Sequence, residues 1–180
     1  MSETRKVLGE ERRTLILNML KKSDKPITGS ELAGTTNVSR QVIVNDVTLL
    51  KARGESIIAT SQGYMYLVES GNGSIERTIA CQHSPEQVEE ELNLLVDHGI
   101  TVKDVKIEHS VYGDLTASIM VSNRKEVEQF VNKIMTTGAS YLSELTGGVH
   151  LHTLIAKDEE QIEEAEQALS KAGFLIETND

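Results

Sequence analysis

The chain has 180 residues, 38% hydrophobic and 3% aromatic with no Trp, so its cores must be mostly aliphatic, and no apolar run is long enough to span a membrane. A single cysteine, Cys81, excludes an intrachain disulfide and suits a reducing cytoplasm. The net charge of −10 divides unevenly: residues 1–70 carry ten Lys or Arg against eight Asp or Glu, and residues 71–180 eight against twenty, so only the first part is compatible with a phosphate backbone.

The start, MSETRKVLGEERR, is polar and charged, unlike a secretory signal. Residues 9–22 then place Leu15, Ile16, Met19 and Leu20 on one stripe at helical spacing, and Ser23-Asp24-Lys25-Pro26 ends that helix. Thr28, with Glu31 three residues on, reads as a capping box for a short second helix. Gly34-Thr35-Thr36-Asn37 reads as a turn, and Ser39 as the cap of a third helix over residues 40–52. The period then changes from 3.6 to 2. Residues 57–60 and 64–68, separated by Ser61-Gln62-Gly63, form a predicted hairpin. Three short helices and a hairpin make a winged helix-turn-helix over residues 1–70, and the polar, glycine-rich segment 69–74 is the linker.

The second part, residues 75–180, mixes the two periods. Strands are expected over residues 75–83, 102–109, 114–121 and 149–156, with 174–177 as an edge strand. Helices are expected from the Ser84 cap, with Pro85 at the first position, to His98; from the Asn123 cap to about Met135; and from the Asp158 cap to Lys171. That order is an α+β layer of helices on a mostly antiparallel sheet.

In a helix-turn-helix the third helix enters the major groove, and its first turns meet base edges. Arg40 suits guanine or a phosphate, and Gln41 and Asn45 suit adenine. The Ser39 hydroxyl and the free N–H groups behind it suit a phosphate oxygen. Lys21, Lys22, Lys51 and Arg53 are expected on the backbone, which positions without reading sequence. Gln62, Tyr64 and Tyr66 are expected at the wing.

All five histidines lie between residues 83 and 152. His150 and His152, at i and i+2 in an apolar run, leave one face of a strand together, where two imidazoles need a partner. His83 ends a strand, and Glu91 stands eight positions on, about two helical turns into the next helix. A strand-to-helix corner lets such residues converge. Three nitrogens and one carboxylate suit a divalent ion such as Zn, Ni, Fe or Mn, at roughly 2.0–2.2 Å for zinc. His109 ends another strand and is expected to line the same pocket. His98 reads as a helix C-terminal cap, and Cys81, which shares a face with His83 in a regular strand, as a small core residue. A hydrolytic metal site would need a base beside the metal, and no HExxH, serine elbow, P-loop or dinucleotide GxGxxG is present.

The segment VSRQVIVNDV resembles the HTH type 11 winged-helix domain. The remainder, through His83, His109 and TGGVHLHT at residues 146–153, resembles the 3H domain. Together they are similar to niacin-responsive transcriptional repressors. That resemblance implies a cytoplasmic homodimer on inverted-repeat operator DNA, and no enzymatic activity. It also implies one divalent metal per chain, nickel or zinc, on His83, Glu91, His150 and His152, with nicotinic acid as co-repressor of NAD-synthesis or niacin-uptake genes. The competing expectation is a metal-dependent enzyme acting on a small pyridine compound, fused to a DNA-binding domain.

Overall fold

The computed structural model describes residues 8–67 and 73–177. The chain divides into two compact units, Met1–Glu69 and Ser70–Asp180.

In the first unit, helices α1 (Gly9–Lys22), α2 (Gly29–Thr36) and α3 (Arg40–Ala52) precede strands β1 (Ile57–Thr60) and β2 (Gly63–Tyr66). The Thr28 and Ser39 side chains accept from the backbone N–H of Glu31 and Val42, so both predicted caps form. The predicted turn at residues 34–37 is shorter than expected. Thr35 and Thr36 remain helical with their hydroxyls on the carbonyls of Glu31 and Leu32, and only Asn37 turns left-handed at φ 52°. β2 starts at Gly63, and its Tyr64 exchanges backbone hydrogen bonds with Ile27, adding a third short extended segment to the hairpin. Val68 and residues 69–72 of the linker lie outside the described residues. Ile16, Leu20, Leu32, Ile43, Val47 and Leu50 fill the core. At its edge, buried Arg12 of α1 holds buried Asp46 of α3 through Nε at 2.5 Å and Nη2 at 3.3 Å, and Arg13 adds a bond at 3.1 Å.

The second unit has a four-stranded sheet in the order β3-β6-β4-β5, with β3 Ile75–Gln82, β4 Thr101–His109, β5 Gly113–Ala117 and β6 Val149–Ala156, and every neighbouring pair antiparallel. Helices α4 (Val88–Asp97), α5 (Arg124–Thr137) and α6 (Glu159–Ala172) share one core with the sheet, built on Leu92, Leu95, Val102, Val127, Leu154 and Ile162. Along β6 the period of two buries His150, His152, Leu154 and Ala156 on one face, as the sequence predicts. Pairing sets Cys81 of β3 opposite His150, and Val105 of β4 opposite His152.

Three expectations change. The helix after Ser84 opens with one 3-10 turn, Pro85–Gln87, before α4 begins. β5 stops at Ala117, and Val121 makes only an isolated pairing with Val102. The edge strand at residues 174–177 reduces to one antiparallel bridge between Leu175 and Cys81, flanked by the Gln82 N–H on the Phe174 carbonyl at 2.8 Å and the Ile176 N–H on the Ala80 carbonyl at 2.9 Å. An unpredicted 3-10 turn, Leu142–Thr146, leads into β6 through Gly147 (φ 61°) and Gly148 (φ 91°). A side chain at Gly148 would collide with the backbone carbonyl of His83. Gly148 is what lets the chain entering β6 lie close beside the end of β3.

Removing one partner of a buried ion pair strands the other charge. Asp46→Ala should therefore cost the first unit about 3–5 kcal/mol in urea unfolding, and Arg12→Met with Asp46→Leu should recover most of it. In the second unit Gly147→Ala, with open space around it, should cost about 1 kcal/mol for its positive φ. Gly148→Ala adds the backbone collision and should lower the melting temperature clearly further; equal losses would contradict the close approach.

Candidate metal centre and DNA-reading helix

His83, Glu91, His150 and His152, far apart in sequence, meet in one buried cluster, each at most 8% exposed. His83 follows the last residue of β3, Glu91 is in the first turn of α4, and the other two lie on the inner face of β6. The rings of His83 and His150 are 4.9 Å apart between centroids, and those of His150 and His152 4.7 Å, both edge to face.

The second nitrogen of each ring is committed to the backbone. Nδ1 lies 2.8 Å from the Ser84 carbonyl in His83, 2.8 Å from that of Gly148 in His150, and 2.7 Å from that of Asp104 in His152. A carbonyl only accepts, so Nδ1 carries the proton in all three rings and each neutral ring offers a lone pair at Nε2. Those three lone pairs face one carboxylate. Nε2 of His83 and His152 lie 2.7 and 3.2 Å from Glu91 Oε2, and that of His150 lies 3.2 Å from Oε1. Acceptors facing acceptors require something positive among them, either protons or a cation.

The titration directions agree. Burial alone would raise the Glu91 carboxyl, yet the charge of His152 and hydrogen bonds from His150, His152 and His83 hold it well below the ordinary carboxylate range. Burial would depress His83 and His152, but their contacts with Glu91 reverse that and raise both. Three protonated rings around one carboxylate would bury two net positive charges. A divalent cation with neutral rings and the same carboxylate leaves one. One protonated ring would balance the carboxylate but leave two lone pairs facing it, whereas one divalent ion answers all three, and three imidazole nitrogens with a carboxylate are a donor set for a borderline divalent metal.

Cys81 belongs to this neighbourhood. Its sulfur, a Glu91 oxygen and a His150 nitrogen lie within 4.8 Å of one another, close enough to hold one ion. Burial, then the Glu91 charge, pushes its thiol far up, so a metal is what would ionise it. Alternation along β3 gives the face it shares with His83, but its place opposite His150 depends on the register between β3 and β6, which one strand's pattern does not carry. His98 caps α4, its Nδ1 2.8 Å from the Leu94 carbonyl.

His109 does not join the cluster. It sits at the hairpin end of β4, where Nδ1 accepts the N–H groups of Val111 (3.1 Å) and Tyr112 (3.2 Å), and its ring packs on Tyr112. Alternation puts it on the same face as Val105, but four residues further on, roughly 13 Å along the strand. The expectation that it lines the pocket is corrected accordingly. The cavity beside the cluster is lined instead by the cluster itself with Val105, Ile119, Phe130, Tyr141 and Ser143 among others.

On α3, Arg40, Gln41, Asn45 and Lys51 are exposed. Gln41 Nε2 donates to Asn45 Oδ1 at 3.3 Å, and the Arg40 side chain lies beside Gly29. Ser39 uses its oxygen for the cap. Two expected contacts are redirected: Arg53 is bound to Glu10 at 2.7 and 3.2 Å, and Tyr64 packs against the core. Lys21 lies over the Tyr66 ring and pairs with Glu55, which also accepts from the Tyr66 hydroxyl. No described helix is long and apolar enough to cross a membrane.

Comparison with known proteins agrees with both halves. An HTH domain matches residues 12–65, and the 3H domain matches residues 76–178. The chain is 59% identical over 178 residues to the transcription repressor NadR of Bacillus subtilis (strain 168), covering 98% of this chain and 99% of that protein. It is 42% identical over 172 residues to the probable transcription repressor NiaR of Thermotoga maritima, covering 96% and 97%. With a helix-turn-helix, an antiparallel α+β domain around three histidines, and repressors matched nearly from end to end, the chain belongs to the 3H-domain family of transcription repressors.

Proposed function

We propose that the chain is a cytoplasmic, homodimeric repressor of NAD-synthesis or niacin-uptake genes, with nicotinic acid as co-repressor. Residues 1–70 would bind operator DNA through Ser39, Arg40, Gln41, Asn45 and Lys51, and residues 75–180 would hold one nickel or zinc ion on His83, Glu91, His150 and His152. The metal would supply a positive centre for a ligand carboxylate or ring nitrogen beside the cavity.

The observation that carries this reading is the charge of the cavity wall. Apart from the cluster, its lining holds no Lys, Arg or Asp, only apolar groups with the Tyr141 and Ser143 hydroxyls. A divalent ion with Glu91 leaves one positive charge in that space, and a monoanion cancels it. Phe130 and Tyr141, with ring centroids 6.1 Å apart, give a flat ring aromatic neighbours. A planar aromatic monoanion matches wall and charge together, as nicotinate does. For the effector to change repression it must bind the DNA-competent state more tightly than the other, since equal affinity shifts nothing.

The test is fluorescence polarisation of operator DNA against nicotinate and nicotinamide, with and without a chelator. Nicotinate should strengthen operator binding in metal-loaded protein, and neutral nicotinamide should act at least about tenfold more weakly, a difference of about 1.4 kcal/mol. Chelation and His150→Ala should both abolish the response while leaving the fold intact. An unchanged nicotinate response in His150→Ala would refute the metal-centred site.

A further inference from the structure

We propose that Val44 and Thr48 form an apolar step on α3 that reads thymine through its C5 methyl group, an inference that rests on the DNA-binding reading above. Helix α3 turns Ile43, Asp46, Val47 and Leu50 inward. At 100° per residue the outward arc has an order. Arg40 and Lys51 lie on one flank, Gln41 and Asn45 on the other, and Val44 with Thr48 between them. The flanks carry charge and amide hydrogen bonding; the centre carries neither. Val44 is 37% exposed and is not part of the core.

Thr48 would interrupt this step if its hydroxyl faced the groove. Instead Oγ1 donates to the carbonyl of Val44 at 2.8 Å, which satisfies the polar end and leaves the methyl as the group free for contact. Gln41 and Asn45 hold each other in the free protein, so the amide flank is orientated along the same edge. In the major groove the apolar feature that distinguishes one base from the rest is the thymine methyl, and a valine beside it is its natural partner.

The experiment starts from full-length protein loaded with nickel and nicotinate, which selects its preferred duplex from a randomised pool. Each thymine of that duplex is then replaced singly by deoxyuridine, which removes only the methyl, and affinities are read by fluorescence polarisation. At one thymine of each half-site, uridine should weaken wild-type binding about fivefold, less than loss of a bidentate hydrogen-bonded pair. Val44→Ala should bind the all-thymine duplex about fivefold more weakly and be indifferent to uridine at that position. Thr48→Ser, which keeps the hydroxyl and drops the methyl, should lose affinity, whereas Thr48→Val should not. Undiminished uridine sensitivity in Val44→Ala at every thymine overturns the proposal while sparing the DNA-binding reading. Failure of the wild type to enrich any duplex overturns both.

Discussion

A buried carboxylate ringed by three imidazoles is the constraint around which the second unit is organised. Burying Glu91 ionised is costly unless positive partners surround it, and their geometry is not left to side-chain freedom. Each ring is pinned through Nδ1 to a main-chain carbonyl, so three backbone segments determine where three lone pairs point. Two of those carbonyls, of Ser84 and Gly148, belong to the segments that run side by side where β3 ends and β6 begins. They approach closely because Gly148 has no side chain to meet the His83 carbonyl. The glycines before the histidine pair are therefore part of the site's construction, although neither contributes a ligand.

The first unit solves the same problem in the opposite way. Asp46 is as buried as Glu91, but its partners are the guanidiniums of Arg12 and Arg13, which do not lose their charge at any physiological pH and which match a carboxylate in a fork. That pair cannot exchange its counter-charge and so fastens α3 to α1 permanently. Imidazoles can release a proton and take a metal in its place. One buried acid thus serves a fixed joint, and under the proposed metal site the other would serve an exchangeable centre. The permanent joint lies under the DNA-reading helix, where rigidity keeps the exposed side chains in register.

Much of this was legible before any coordinates. The caps at Thr28, Ser39, Asn123 and Asp158 depend on a hydroxyl, amide or carboxylate oxygen three residues from an N–H, a local relation that sequence displays directly. The spacing of His150 and His152 is local too. His83 and Glu91 needed a strand-to-helix corner to reach them, and the corner was visible in Ser84 and Pro85. What escaped was non-local or lacked a period. His109 is expected at the pocket because it ends a strand, but that position says nothing about its distance from the cluster along β4. Residues 174–177 are apolar enough for a strand, and they do meet the free edge of β3, but only through the single bridge at Leu175. The turn at Leu142–Thr146 has no periodicity to betray it, though it supplies Leu142 and Ser143 to the cavity wall. Arg53 looked available for a phosphate because the stretch around it is basic; its partner Glu10 is 43 residues away in sequence.

The uneven charge of the two halves has a physical consequence for how sequence would be read. Residues 1–70 exceed neutrality by two positive charges, and residues 71–180 carry twelve more acidic than basic groups. Sequence-independent affinity for DNA comes from neutralising phosphates and releasing their counterions. A weakly basic reader tethered to an acidic unit gains little from that term, and Arg53 is already spent on Glu10. Under the proposed function, base-edge contacts along α3 and the engagement of two half-sites by a dimer would then carry more of the affinity. On that proposal, occupancy of the operator would depend on whether the α3 helices of both protomers engage together, a relation that a ligand bound in the acidic unit would govern by favouring one state.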